Sequence, residues 1–327
     1  MKKSSALRRA VLALGLCLTL TAPVLALDPD PKLADYKAAS GVSGKVKSIG
    51  SDTLNNLMTL WTEGFRSSYP GVQIEIEGKG SSTAPPALIE GTAQFGPMSR
   101  EMKSEEEAAF EKKYGYKVSR LRVAVDALAV FVHKDNPIRC LSLQQVDAVF
   151  SKNRKGGYAK EIRTWGDLGL TGEWADKPIS LYGRNAASGT YGYFKEVALF
   201  KGDYKDTVKE QPGSSAVIQG VASDRYAIGY SGVGYKTADV RTVPLAAKEG
   251  QGCFDANDKN AYSGDYPLAR FLYIYLNRNP NQALDPLRRE FVKYVFSRQG
   301  QTVVIKDGFY PVSGDIAEMD MKALGIK

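Results

Sequence analysis

Four times along this chain a short apolar run leads through a turn rich in Ser, Thr and Gly toward a helical pattern. In the clearest case an apolar strand over 179–182 turns at Gly183. It then opens a helix through Arg184-Asn185-Ala186-Ala187-Ser188-Gly189-Thr190 that is expected to run to about Phe200. Ser188 and Thr190 are N-cap residue types, and Gly189 lets the backbone curl so that successive N–H groups converge. Arg184 adds a planar fork of donors that matches a carboxylate or a tetrahedral oxyanion. One such turn is ordinarily a helix cap and nothing more. Recurrence at strand ends is what constrains the fold.

The other three turns follow the same plan. Gly50-Ser51-Asp52-Thr53 comes after a predicted strand at 44–50 and before Leu54, Leu57, Met58, Trp61 and Phe65, which recur at helical spacing, with Asp52 or Ser51 as cap. Gly80-Ser81-Ser82-Thr83 follows an alternating strand at 72–77, with Pro85 and Pro86 where a first helical turn tolerates a missing N–H. Gly96-Pro97-Met98-Ser99-Arg100 leads to a charged helix over 105–114, and Ser99 reads as a cap before an acidic first turn. In open α/β sheets ligands sit at the carboxyl edge of the strands, and free N–H groups at helix starts favour an anion there. Four unrelated caps are the competing reading. Together with Arg184, the recurrence favours a small-oxyanion site.

Strand-like runs alternate with helical patterns along all 327 residues, which points to α/β architecture with mainly parallel sheets, and the length calls for two domains. A long strand at 121–133 is interrupted by Asp126, and a second at 268–276 is read as returning the chain to the first domain. An unpaired carboxylate is strongly unfavourable in a core, so Asp126 is either exposed at a cleft or buried with a partner. Helices are also expected over 143–150 and 285–296, with an extended piece at 308–312 closing the chain.

The amino terminus reads as an export leader. Lys2, Lys3, Arg8 and Arg9 precede an apolar stretch, and Val24-Leu25-Ala26 suits cleavage after Ala26, making 1–26 a signal peptide. Cys17 follows Leu16, where a lipoprotein signal would carry Gly or Ala, so lipid anchoring is not expected. Losing four basic and no acidic residues halves the formal charge of +8. A modest positive excess without a basic run and interleaved aromatics gives no sign of nucleic-acid binding. Cys140 and Cys253 remain, in a compartment that permits disulfides, either paired or buried as thiols. The one histidine, His133, stands before a turn signal, and no cluster has metal-ligand spacing.

The order of Gly50-Ser51-Asp52-Thr53, Gly80-Ser81-Ser82, Gly96-Pro97-Met98-Ser99-Arg100, the strand around Asp126 and Arg184-x-x-x-Ser188-Gly189-Thr190 resembles the periplasmic phosphate-binding proteins of the phosphate-specific ABC transport system. The resemblance covers nearly all of the chain beyond the leader. It implies a two-lobed periplasmic binding-protein fold, with two mixed, mostly parallel sheets, flanking helices and two hinge strands. Residues 27–129 plus 270–327 would form one lobe and 130–269 the other, closing on dehydrated inorganic phosphate. It further implies a periplasmic location, an inner-membrane ABC permease with its ATPase as partner, no cofactor, no metal and no catalysis. Matching positions make Thr53, Ser81, Arg184, Ser188, Gly189 and Thr190 the implied phosphate contacts.

Two positions depart from the pattern. Well-known members carry a carboxylate where Ser99 stands, accepting a hydrogen bond from the phosphate's own proton. Another acid lies between their arginine and the Ser-Gly-Thr, where this chain has Asn185-Ala186-Ala187. Only an acceptor separates protonated phosphate from fully ionised sulfate, and a buried Arg184 still needs a counter-charge. Asp52 and Asp126 are expected to fill these roles, one of them accepting the proton and one pairing with Arg184. The rival readings are a secreted phosphatase or phosphoryl-transfer enzyme, a receptor for another oxyanion, and a surface adhesin that uses the fold without transport. Against an enzyme, the sequence offers no metal-ligand cluster and no base beside a nucleophile.

Overall fold

The computed structural model describes residues 27–326, and the predicted leader, with Cys17 and the cleavage point after Ala26, lies outside them. The chain enters through β1 (Lys45–Ile49), a 3-10 turn at Asp52–Leu54 and α1 (Asn55–Arg66). α1 buries Leu57, Met58, Trp61 and Phe65, the face that its spacing predicts. β2 (Gln73–Glu77) pairs parallel with β1, and α2 (Ala84–Ile89) starts with proline in its first turn. β3 (Gly96–Met98) and α3 (Ser104–Tyr114) follow, then the long β4 (Ser119–His133).

Beyond β4 come β5 (Leu141–Ser142), α4 (Leu143–Phe150), β6 (Ser180–Arg184) and α5 (Gly189–Val197). α5 stops short of its expected end because Phe200 and Lys201 adopt φ of +50° and +62°, which no right-handed helix contains. β7 (Lys209–Gln211), α6 (Ser214–Ser223), β8 (Ala227–Gly232), β9 (Val240–Thr242), β10 (Leu245–Ala246) and α7 (Asp258–Ser263) complete this part. β11 (Ala269–Leu276) then leads back to α8 (Pro286–Val295), α9 (Arg298–Lys306) and α10 (Gly314–Ala323). The extended piece near 310 is present, with Val125 N donating to Tyr310 O at 2.8 Å and Tyr310 N to Val125 O at 2.9 Å. α9 and α10 were not expected from the sequence. Each opens on a serine, Ser297 or Ser313, whose side chain accepts a backbone N–H of its own helix.

Two principal apolar cores form. The first gathers Trp61, Phe65, Phe95, Leu121, Val123, Leu272 and Phe291, and the second gathers Leu128, Val130, Phe150, Trp165, Phe194 and Tyr230. Both draw on β4. Its residues Ser119 to Ala127 pair with β11, whereas Leu128 onward pairs with β8 and then β9. The sheets are mixed, and the pairs made by β4 and β11 are antiparallel because the chain crosses between the cores once in each direction along these strands. Parallel pairing holds within each core, as in β1 with β2 and β6 with β8.

Cys140 and Cys253 are joined in a disulfide, Cα to Cα 6.1 Å across 113 residues, beside the short β5–β10 pair. That resolves the alternative the sequence left open. Among the described residues no helix is long and apolar enough to cross a membrane.

Candidate anion-binding site

Three strand ends in the first core are sewn together by backbone bonds. Gly50 N donates to Glu77 O at 3.0 Å, Ser51 N to Pro97 O at 2.7 Å and Gly80 N to Gly50 O at 2.8 Å. This stitching aligns the turns after β1, β2 and β3, so their hydroxyls converge. Ser51 Oγ donates to Ser99 Oγ at 3.0 Å, Ser81 Oγ accepts from Ser99 N at 3.0 Å, and the Ser81 and Ser99 hydroxyls lie 3.3 Å apart. Ser51 occupies an N-cap position yet caps nothing with its side chain, which leaves its hydroxyl for the cluster.

The second core meets this cluster with the start of α5. Thr190 Oγ1 lies 2.9 Å from Thr53 Oγ1 and 3.4 Å from Ser99 Oγ. Ser82 N donates to Ala187 O at 3.1 Å. A side chain at Gly80, which sits at φ +106°, would run into that same Ala187 carbonyl. At Gly189 a Cβ would overlap the hydroxyls of Ser81 and Ser99, so only glycine lets α5 approach this closely. Ser51, Thr53, Ser81, Ser99 and Thr190 are all buried. Buried hydroxyls with rotatable protons can donate to an anion or accept from one that carries a proton.

Arg184 ends β6 and is 1% exposed. Its Nη1 donates to Ser214 Oγ at 2.6 Å and lies 3.3 Å from Asp52 Oδ2, its Nη2 donates to Pro212 O at 3.2 Å, and its Nε has no partner. Burial pulls the guanidinium pKa below its ordinary value, opposed by the Asp52 charge. Asp52 Oδ2 also accepts Ser214 N at 2.8 Å, a carboxylate at the start of α6 where the helix dipole favours it. The turn that carries Asp52 is held by Tyr235, from the 3-10 turn that follows β8, whose OH donates to Asp52 O at 3.1 Å and Thr53 O at 3.0 Å.

Of the residues expected in the site, Thr53, Ser81, Ser99, Gly189 and Thr190 come together, and Asp52 meets Arg184. Ser188 is placed beside them, but its Oγ accepts the N–H groups of Thr190 and Tyr191 as the cap of α5. Ser99 does not cap α3, which starts five residues later. Arg100 instead turns away to Glu106, at 2.7 and 2.8 Å, and matches the acidic first turn. Asp126 is fully buried and pairs not with Arg184 but with Arg270, whose Nε and Nη2 donate to its Oδ2 at 3.0 and 2.8 Å. Arg270 was missed. A signal existed, because Asp126 on one long strand and Arg270 on the other are each flanked by apolar residues, and the register places Asp126 opposite Arg270.

A family model described as a PBP superfamily domain matches residues 36–299. The phosphate-binding protein PstS of Pseudomonas aeruginosa is 59% identical over 297 residues, spanning 91% of this chain and 92% of the relative. The phosphate-binding protein PstS of Staphylococcus saprophyticus is 27% identical over 79% of this chain and 78% of its own length. Among solved structures, a putative phosphate ABC transporter substrate-binding protein with bound phosphate, from Clostridium perfringens, superposes with a TM-score of 0.70 at 26% identity. That match covers 83% of this chain and 100% of the other.

Proposed function

Because this chain belongs to the PBP superfamily and to the phosphate-binding proteins within it, we propose that it is a receptor that encloses inorganic phosphate between two lobes and delivers it to an ABC permease. The observation that carries this reading is the meeting of Thr53 and Thr190 hydroxyls at 2.9 Å, which joins three loops of one core to the helix start of the other. The lobes are 27–129 plus 270–327 and 130–269, with β4 and β11 as the hinge strands. The change of β4's partner between Ala127 and Leu128 supports this division.

Phosphate is held by the hydroxyls of Thr53, Ser81, Ser99 and Thr190, by backbone N–H groups at Ser188, Gly189 and Thr190, and by Arg184. Asp52 serves as the counter-charge of Arg184. Hydroxyls and N–H groups give up their bonds to one another and take the anion's oxygens instead, so little polar desolvation is left uncompensated. Ligand drives closure only by binding the closed form better, and bridging both cores does that. The permease and its ATPase then read the closed shape.

The protein acts without catalysis. His133, its one histidine, lies at the far end of β4 with Nδ1 accepting Asp135 N at 3.2 Å, and the carboxylates nearest the clustered hydroxyls, Asp52 and Asp126, are each held by an arginine. An export leader over 1–26, removed after Ala26, takes the chain to the periplasm. The Cys140–Cys253 disulfide suits such an oxidising compartment.

Calorimetric titration of the mature chain, unfolded and refolded to strip ligand, tests the reading. One-to-one binding of phosphate is expected, and absence of phosphate binding by folded protein overturns it.

A further inference from the structure

We infer that Arg270 is a second guanidinium in contact with the bound anion, and that Asp126 is its fixed counter-ion and not the acceptor of the anion's proton. This inference rests on the proposed phosphate site and deepens it. Arg270 stands at the start of β11, where the chain crosses back to the first core, and is nearly buried. An arginine has five N–H donors in a rigid plane. Nε and one Nη2 hydrogen go to Asp126 Oδ2, and Nη1 goes to Ser99 O at 2.7 Å. The remaining Nη2 hydrogen reaches Thr190 Oγ1 at 3.0 Å. Thr190 Oγ1 is the node of the hydroxyl cluster, within 3.4 Å of both Thr53 and Ser99 hydroxyls. An oxyanion oxygen that enters the cluster therefore comes within reach of the Arg270 Nη2 hydrogen and is the stronger acceptor. The ring of Tyr193 lies 5.1 Å from the guanidinium carbon and fixes the plane from its other side.

Asp126 is occupied by the protein. Its Oδ2 takes both Arg270 bonds and its Oδ1 accepts Val233 N at 3.0 Å. Asp126 and Arg270 are also direct partners in the antiparallel β4–β11 register, so the pair is built into the hinge strands and does not depend on ligand. The site thus holds two arginines, each with its own carboxylate, Arg184 with Asp52 and Arg270 with Asp126. Discrimination of phosphate from sulfate then does not run through Asp126.

The test uses the full mature chain, stripped of ligand and titrated with phosphate and with sulfate at neutral pH. Wild type is measured first, and if it binds no phosphate the receptor reading fails and this inference falls with it. Given wild-type binding, Arg270→Gln is expected to weaken phosphate by roughly 100-fold or more and Arg270→Lys by about tenfold, the loss of charge-assisted bonds to an anion. If Arg270→Gln does not fold, Arg270→Lys decides alone. Asp126→Asn is expected to keep the phosphate-to-sulfate affinity ratio within about threefold of wild type, because a counter-ion acts on both anions alike whereas an acceptor acts on one. Phosphate affinity unchanged in folded Arg270 variants, or a ratio shifted more than about tenfold by Asp126→Asn, would overturn the inference.

Discussion

Asp52 Oδ2 lies 3.3 Å from Arg184 Nη1, and this ion pair spans the two cores. The carboxylate comes from the turn after β1 and the guanidinium from the end of β6, so the buried arginine takes its counter-charge from a turn beside the other core. In the proposed two-lobed receptor the pair forms only when the lobes meet, which makes neutralisation of Arg184 part of the free energy of closure.

Replacing Asp52 by alanine removes both this charge and the acceptor for Ser214 N at the start of α6. Phosphate affinity should fall by about tenfold, the value of one charge-assisted bond, through faster release. The ligand-free melting temperature should change little, since in the proposed open form the two charges stand apart. Stopped-flow dissociation and a thermal melt check both halves, and unchanged release kinetics would remove Asp52 from the closing device.

Gly189 separates closure from folding even more cleanly. A methyl at this position overlaps Ser81 and Ser99 hydroxyls only when α5 is docked on the first core. At the first position of a helix, alanine is otherwise favourable to α5. Gly189→Ala is therefore expected to weaken phosphate roughly 10- to 100-fold through overpacking worth about 1–3 kcal/mol, while the ligand-free protein melts at or above the wild-type temperature. Equal loss of affinity and stability would mean that the cores stay docked without ligand.

Much of this arrangement was legible in the sequence. The turns after β1, β2, β3 and β6 follow from strand runs that end in Ser, Thr and Gly, because those residue types recur where strands feed helices, and the two long strands follow from their apolar runs. What escaped has a physical reason. Ser99 was counted in the site, and only its reading as a helix cap fails, because Arg100 claims Glu106 and leaves Ser99 to bond Ser51 and Ser81. Arg270 escaped because its role depends on the pairing of strands about 140 residues apart, and register is set by tertiary packing, not by the local pattern. The mutual bonding of hydroxyls from four separate loops is likewise invisible until the strands are aligned.

The disulfide closes 113 residues of the second core. A loop of that length carries a large closure entropy in the unfolded chain, so the Cys140→Ser, Cys253→Ser double variant should lose about 2–4 kcal/mol in urea unfolding. Phosphate affinity should hold within about twofold, because neither cysteine contributes to the cleft. A reduced wild-type protein should behave as the double variant does. Equal stability with and without reductant would show that the β5–β10 pair alone holds this region.

Asp307 gives a pH dependence of defined sign. It follows α9, accepts a hydrogen bond from Asn56 through Oδ1, and leaves Oδ2 buried without a partner. Burial raises its carboxyl from the ordinary 3.8 to about 6. The folded protein therefore binds this proton more tightly than the unfolded chain does, and stability declines as pH rises from about 4 to about 6. Above that range the ionised carboxylate is a standing cost, and below it the cost is gone. Asp307→Asn, which keeps the shape without the charge, should stabilise the protein at pH 7.5 by about 1–2 kcal/mol, a figure reduced from the full displacement because the side chain is only half-buried and water screens it. At pH 4 the gain should vanish. Urea unfolding of both proteins at pH 4, 5 and 7.5 decides it: a difference that stays constant across the three would place the effect in packing, and a destabilised variant at pH 7.5 would show that the charge has a partner in solution.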